Sequence, residues 1–345
     1  MPRRPGRSEP LRVADAHTDL LVELTFRARE ENPFGRRWLP VLRAGGVGLQ
    51  VCPIFAADAG SGEAVVARAR AQAEAFQRAV AENADDVVHV CAGSDVGFAD
   101  RLGLVLALEG AEALDGAVSG LDWFWARGLR VVGLTWNEAN VFASGISTPE
   151  AGLTRLGRAL VGEVCGRGGI VDLAHASART LFDVLEVAPE GRVIVSHANC
   201  QAVFRTRRNL SDDQLSALAA HGGLVGVSAD GYLVDPQDPT LRRLVDHFDH
   251  ALEVMGEAHV GLGGDFLHQV MASGALDATA LRRVARRFRG YRGALAGLAG
   301  PQDYPHLVEA LRARGYEPGT LERILSGNLE RLLRAMLPQA VVDPA

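Results

Sequence analysis

The chain has 345 residues, of which 48% are hydrophobic and 23% are charged, a composition typical of a folded globular protein with a large core. Its formal net charge of −6 and its pI near 5.9 argue against a nucleic-acid partner, because a phosphate-binding face needs an excess of basic residues. All 36 residues in the Lys+Arg count are arginines. This excludes a Schiff-base lysine, a P-loop lysine and a carboxylated lysine that bridges two metal ions.

The amino-terminal segment, residues 1–10, is basic and proline-rich, and we expect it to be flexible. It runs into Leu11 without the apolar region of a secretory signal, and no apolar run approaches membrane-spanning length. These features predict a cytoplasmic protein without a membrane partner. The cysteines are scattered and form neither a CxxC pair nor a dense disulfide pattern, so we expect buried free thiols.

Short β-rich apolar segments alternate with amphipathic stretches along nearly the whole chain, which predicts βα units and a parallel sheet. Eight strands are predicted: Val13–His17, Val47–Phe55, Gly103–Glu109, Leu129–Trp136, Gly169–His175, Val193–His197, Gly222–Ser228 and Val260–Asp265. The fold class is therefore α/β. We expect a TIM-type (β/α)8 barrel that forms a single domain over residues 11–338, followed by a tail over 339–345.

The intervening segments predict helices at Glu63–Ala81, Leu153–Cys165, Ala178–Val187 and Asp212–Ala220. Ser177 and Ser211 are the expected N-caps of the last two. An arginine-rich segment, Leu276–Leu298, predicts one or two extra helices outside the barrel. A final helix around Leu321–Met336 is expected to close the domain.

The predicted strand ends carry a set of ligand-type side chains. They are His17, Asp19, Glu109, His175, His197 and Asp265, with Trp136 beside them. Catalytic groups of this fold gather at the carboxyl-terminal rim of the barrel. His17 and Asp19 are expected to face the same way, as residues i and i+2 of a strand do. Imidazole and carboxylate ligands suit zinc, with manganese or cobalt as the usual competitors.

Two adjacent cations repel each other, so a shared anion is expected between them. Lysine carboxylate is excluded, which leaves a carboxylate side chain. Glu109 is the candidate, because it ends the unbroken apolar run 104–108, where a buried charge needs a compensating cation. The alternative is an ordinary turn or N-cap glutamate before Gly110.

Several blocks carry a resemblance to the membrane dipeptidase (renal dipeptidase, peptidase M19) family, over almost the whole chain. They are Asp15-Ala16-His17-Thr18-Asp19, Leu108-Glu109-Gly110, Leu134-Thr135-Trp136-Asn137, Asp172-Leu173-Ala174-His175-Ala176-Ser177, Ser196-His197-Ala198-Asn199, Arg207-Arg208-Asn209-Leu210, Gly263-Gly264-Asp265-Phe266 and Ser326-Gly327-Asn328. The blocks around His175 and His197 are the most specific of these.

The resemblance implies that His17, Asp19 and Glu109 hold one zinc ion, while Glu109, His175 and His197 hold the other. It further implies that Asp265 accepts a proton from a water or hydroxide bridging the two ions, and that Arg208 receives the terminal carboxylate of the substrate. The residues alone do not distinguish Arg208 from Arg205 and Arg207, and a pairing of Arg208 with Asp212 or Asp213 stays open. The implied activity is hydrolysis of a dipeptide by that bridging hydroxide, with Asp265 and Glu109 as catalytic residues.

Two of these blocks depart from the family pattern. Trp136 stands where the family has a histidine, and an indole N–H can donate a hydrogen bond but cannot titrate. Leu267 and His268 replace a frequent Asp-Gly pair. Trp136 and Asn137 are candidate substrate contacts. The remaining histidines are interpreted as structural or surface groups, with His268 near the rim as the exception.

Other functions stay open at this stage. The same metals could act on an N-acyl amino acid, a lactone or a phosphoester. The protein could also be a metal-binding protein that has lost peptidase activity, for which Trp136 is the one hint. The oligomeric state is open as well, with a homodimer among the options.

Overall fold

The computed structural model describes residues 12–59, 62–97, 100–266, 269–270, 273–275 and 294–339. Its strands are β1 Val13–Asp15, β2 Val47–Phe55, β3 Val87–His89, β4 Leu102–Glu109, β5 Leu129–Gly133, β6 Ile170–Asp172, β7 Val193–Ala198, β8 Leu224–Ser228 and β9 Val260–Gly263. All pairings between them are parallel, in the order β2-β1-β9-β8-β7-β6-β5-β4, and β2 also pairs with β4. Eight strands thus close into a barrel, and the predicted TIM-type fold is confirmed.

Alternate strand residues build the inner core of the barrel. Val105 and Ala107 of β4 pack in one buried cluster with Leu49 of β2, Ile194 of β7 and Leu333 near the carboxyl terminus. Since every second residue of a strand faces the same side, Glu109 also faces the barrel interior, at the carboxyl-terminal end of β4. The side chains of opposite parity pack outward against the helices in a larger cluster.

The helices of the described segments are α1 Leu20–Phe26, α2 Leu39–Ala44, α3 Glu63–Glu82, α4 Gly120–Trp125, α5 Arg155–Gly166, α6 Ala178–Leu185, α7 Asp212–Ala220, α8 Gly231–Val234, α9 Leu241–Met255, α10 Tyr304–Arg314, α11 Pro318–Glu322 and α12 Asn328–Met336. Both predicted N-caps are confirmed: the hydroxyl of Ser177 accepts from the amide of Thr180, and that of Ser211 from the amide of Gln214. All the cysteines are free. In the described ranges, no helix is both long enough and apolar enough to cross a membrane.

The structure corrects several predicted bounds. Four strands end before the predicted residue, so that His17, Trp136, His175 and Asp265 lie in the loops that follow β1, β5, β6 and β9. The predicted helix 321–336 is divided, because a π-helical turn at Arg323–Gly327 separates α11 from α12.

One strand escaped prediction. β3 has three residues and pairs only with the first three residues of β4, while β2 pairs along nearly all of β4 to close the barrel, so β3 lies outside the closed ring. Of the other predictions, residues 1–10, His268 and most of the segment Leu276–Leu298 lie outside the described residues.

Candidate metal centre and active site

The carboxylate of Glu109 lies between two groups of side chains. Its Oε1 is 2.8 Å from His175 Nε2 and 3.7 Å from His197 Nε2. Its Oε2 is 3.8 Å from His17 Nε2, which in turn lies 3.8 Å from Asp19 Oδ1. Each oxygen of this one carboxylate therefore faces a different set of ligand-type side chains.

Among the described residues, three overlapping groups of side chains could hold a cation, each with its ligand atoms within 4.8 Å of one another. They are His17–Asp19–Glu109, Glu109–His175–His197 and His17–His197–Asp265. The first two are the sets that the family resemblance implies for the two ions. The third brings Asp265 into direct reach of the same centre.

Local backbone geometry, rather than strand alternation, turns these side chains inward. His17 and Asp19 lie beyond β1, so the predicted reason for their convergence is wrong, although they do converge; Asp19 occupies the N-cap position of α1. His175 (φ +66°) and Asp265 (φ +48°) adopt left-handed backbone conformations. Such conformations are uncommon for non-glycine residues and cluster at functional sites, where the surrounding structure maintains them.

The histidine rings are held from outside the cluster. Asn137 Oδ1 accepts a hydrogen bond from His175 Nδ1 at 2.9 Å, and His197 Nδ1 bonds Ser196 Oγ at 2.9 Å. With Nδ1 engaged in this way, Nε2 of each ring faces Glu109, which is the arrangement usual for metal-ligating histidines. Asn137, predicted as a substrate contact, is 3% exposed and lies behind His175.

The electrostatics of the site favour bound cations. Burial raises the pKa of Glu109, and the nearby charges of Asp19 and Asp265 raise it further. Burial, with a smaller effect of Arg208, lowers the pKa of His17 to about 3, so its ring is neutral at pH 7. His17 Nε2 is buried and has no hydrogen-bond partner among the described residues.

The surroundings carry a surplus of negative charge. Further buried carboxyl groups each interact electrostatically with Glu109, with Asp265 or with the guanidinium of Arg208. They are Asp15, Asp19, Asp172 and Asp230. Burying like charges together is costly unless a counter-charge accompanies them. Two divalent cations would largely neutralise the set. Neutral imidazoles and carboxylates are also donors that zinc accepts, so the residues present fit such ions.

Arg208 is buried beside this cluster, whereas Arg205 and Arg207 are exposed. Its Nη2 donates to the carbonyl oxygen of His197 at 2.9 Å. Asp212, which sequence reasoning left open as a partner of Arg208, instead bonds His250 Nε2 at 2.7 Å.

Two aromatic rings lie beside the cluster. Trp136 is half-buried, 6.0 Å from the ring of His175 and edge-on to Phe55 at 5.2 Å between centroids. Sequence reasoning did not identify Phe55, which ends β2 as Glu109 ends β4.

Asp230 also escaped prediction. Its buried carboxylate caps α8 by accepting from the amide of Tyr232, and burial raises its pKa to about 6. It follows the end of β8 by two residues, the offset by which His17 follows β1 and Asp265 follows β9. That shared offset is the signal that could have found it.

A closed parallel barrel with histidines and carboxylates clustered at its carboxyl-terminal rim is the architecture of a barrel-type metallohydrolase. Residues 8–286 match the model of the membrane dipeptidase family (peptidase family M19). The chain therefore belongs to the membrane dipeptidase family, and the predicted metallopeptidase class is confirmed.

Relatives in sequence agree with this membership, and solved structures share the fold. The chain is 30% identical to human dipeptidase 3 over 346 residues, which covers 95% of this chain and 65% of that protein. It is 32% identical over 252 residues to an uncharacterized protein in the pqqA 5′ region of Klebsiella pneumoniae, with 69% of this chain and 83% of that protein covered. The fold matches dipeptidase AC, a metallopeptidase of family M19, with a TM-score of 0.80 at 23% identity, over 96% of this chain and all (100%) of that one. It also matches a Rhodobacter sphaeroides metallopeptidase bound to a phosphinate mimic of L-Ala-D-Ala, with a TM-score of 0.79 at 23% identity, over 95% of this chain and 100% of that one.

Proposed function

We propose that this protein is a binuclear zinc dipeptidase. His17, Asp19 and Glu109 would hold one ion, and Glu109, His175 and His197 the other. The observation that carries the proposal is the placement of Glu109, whose two oxygens face the two ligand sets separately. A bridging carboxylate offsets the repulsion between two neighbouring cations.

When bound, such ions polarise the scissile carbonyl and lower the pKa of water, which generates a nucleophile near neutral pH. Asp265 would accept the proton that the attacking water loses and deliver it to the leaving amine. Its position supports this role, because a carboxylate oxygen of Asp265 lies within 4.8 Å of ring nitrogens of His17 and His197. Burial, together with the neighbouring charge of Asp230, also raises the pKa of Asp265, which favours proton uptake.

Arg208 would bind the free carboxylate of the substrate. A guanidinium has five N–H donors, and its contact with the carbonyl of His197 uses one of them. That contact fixes the guanidinium beside the backbone of a proposed zinc ligand. With the carbonyl held at the metal centre and the carboxylate held at Arg208, one residue fits between them, so the expected substrate is a dipeptide.

Two of the comparison proteins support this substrate class. One relative is named dipeptidase 3, and one solved structure with the same fold is bound to a phosphinate mimic of a dipeptide. Trp136 and Phe55 would form an apolar wall beside the scissile bond, where the indole N–H could donate one hydrogen bond to the substrate.

The test is a substrate panel on purified protein reconstituted with Zn²⁺. We expect hydrolysis of dipeptides and none of tripeptides, N-acyl amino acids, lactones or phosphoesters. If the protein hydrolyses one of those other classes and does not hydrolyse dipeptides, the substrate assignment is wrong. Binding of two zinc ions without hydrolysis of any member would instead favour a metal-binding protein that lacks peptidase activity.

A further inference from the structure

Asp15 is a buried carboxylate at the end of β1 with no assigned role. Within the ladder it pairs with Leu262 of β9. Its Oδ1 accepts one hydrogen bond from the amide of His17, two residues further along its own chain, at 3.0 Å. The same oxygen accepts a second from the amide of Gly264, at 2.8 Å. Gly264 lies two residues beyond Leu262 and immediately before Asp265.

Asp172 at the end of β6 repeats this arrangement. It pairs with Ile194 of β7. Its Oδ1 accepts from the amide of Ala174, two residues further along, at 3.0 Å, and from the amide of Ser196 at 2.9 Å. Ser196 lies two residues beyond Ile194 and immediately before His197. The offsets are the same as those around Asp15.

These contacts begin where the backbone ladder ends. The ordinary ladder continues for one more bond in both places, since Ala16 N donates to Leu262 O and Leu173 N donates to Ile194 O. Beyond that point β1 and β6 have ended, so the buried amides of Gly264 and Ser196 lack a strand acceptor on that side and need another one. One carboxylate oxygen supplies the acceptor for both segments, so its position sets the separation of two adjacent strand ends.

We propose that Asp15 and Asp172 are equivalent positioning residues of the metal centre. Asp15 sets His17 against Asp265, and Asp172 sets His175 against His197. This inference rests on the proposed function, because it assumes that those side chains form the metal centre. Neither aspartate is itself a proposed ligand.

The remaining contacts of Asp15 show how firmly it is held. Its Oδ2 accepts from the hydroxyl of Thr18 at 3.0 Å and from that of Tyr304, at the start of α10, at 2.8 Å. A Cβ at Gly264 would lie 2.7 Å from the Tyr304 hydroxyl and 2.8 Å from Asp15 Oδ2, so a larger residue there would displace this arrangement. Hydrogen bonds to both oxygens thus hold the carboxylate in the position from which it orients the strand ends.

The experiment compares Asp15→Ala and Asp172→Ala with Asp15→Asn and Asp172→Asn. Zn²⁺ affinity is measured by competition with a chromophoric chelator, and thermal unfolding is measured on the metal-free proteins. The alanine variants should lose about 10- to 100-fold in zinc affinity, the usual effect of removing a group that orients metal ligands. The asparagine variants should lose less, because the amide oxygen can still accept both backbone N–H bonds.

Asp95→Ala is the matched control. Asp95 Oδ2 also accepts two backbone hydrogen bonds, from Cys91 at 3.0 Å and Ala92 at 2.8 Å, but this turn lies outside the metal centre. The Asp95→Ala substitution should lower the unfolding temperature and leave zinc affinity unchanged. A purely structural role for Asp15 and Asp172 predicts the same pattern for their variants.

The outcomes separate this inference from the proposed function. Wild-type protein that binds no zinc would overturn the proposed function and the inference with it. Wild-type protein that binds two ions, with alanine variants that bind both at unchanged affinity, would overturn the inference alone. If the alanine variants do not fold, Asp15→Glu and Asp172→Glu decide, since they keep the charge but move the oxygen. Tighter zinc binding by the glutamate variants than by the asparagine variants would contradict a positioning role.

Discussion

Protonation of His247 should contribute to unfolding of this protein in acid. The ring of His247, in α9, is fully buried, at 0% exposure. Its Nδ1 accepts from the amide of Cys200, in the loop that follows His197, and its Nε2 donates to the carbonyl of Val234 at the end of α8. Burial lowers the pKa of His247 from its ordinary 6.5 to about 4. The folded protein therefore keeps this ring neutral until well below neutral pH.

The sign and size of the effect follow from linkage. The unfolded chain binds a proton near pH 6.5 and the folded chain near pH 4, so the unfolded state binds more protons between these values. The free energy of unfolding must therefore fall as the pH decreases through that window. At about 1.4 kcal/mol per pKa unit, protonation of His247 lowers the free energy of unfolding by about 3 kcal/mol at pH 4. About 2 kcal/mol of this loss occurs by pH 5.

Urea unfolding of wild type and His247→Asn from pH 7.5 to pH 4.5 measures this contribution. The asparagine oxygen can replace Nδ1 as acceptor for Cys200 and does not titrate, so the variant should lose less stability on acidification. Other titrating groups cancel in the difference. His306→Asn, which replaces a histidine at the surface, is the matched control variant. If the wild-type and His247→Asn curves stay parallel between pH 7 and pH 5, the reasoning is refuted.

Two further predictions concern turnover. Asp265→Asn should retain its metal and lose about 10²- to 10⁴-fold in kcat, the usual contribution of a positioned general acid or base; near-normal turnover would remove Asp265 from the mechanism. Wild type should cleave a free dipeptide much faster than its C-terminal amide, and Arg208→Ala should abolish that preference. For the free dipeptide, the variant should lose about 2 to 5 kcal/mol of transition-state binding, the usual effect of truncating one partner of a desolvated charge pair. Equal cleavage of both substrates by wild type would show that Arg208 is not the carboxylate site.

Much of the metal centre could be predicted from the sequence, because buried parallel strands are recognisable as apolar runs. Glu109 is the clearest case: it ends such a run, and strand parity alone places it in the barrel interior with Val105 and Ala107. The rule that site residues lie at the carboxyl-terminal ends of strands also led to His175, His197 and Asp265. The same rule, applied two residues beyond β8, would have found Asp230.

Other features depend on tertiary contacts that spacing does not reveal. Strand alternation correctly predicts that His17 and Asp19 converge, but it gives the wrong reason. The strand ends at Asp15, and the carboxylate of Asp15 holds the loop that follows. The left-handed backbone conformations of His175 and Asp265 are likewise not apparent from the sequence, because neither residue type requires them. Likewise, Asn137 was expected at the substrate, and only the folded chain shows that its side chain bonds His175.

The central claim is that one carboxylate joins two metal sites, and zinc stoichiometry tests it most directly. After equilibration with Zn²⁺ and removal of the unbound metal, wild-type protein should retain two equivalents of zinc per chain. Glu109→Gln should weaken both sites together, because each oxygen of Glu109 faces one ligand set. Glu112→Gln, which alters a neighbouring carboxylate outside the three ligand groups, should still retain two. A single equivalent in wild type, or the loss of only one ion in Glu109→Gln, would contradict the account.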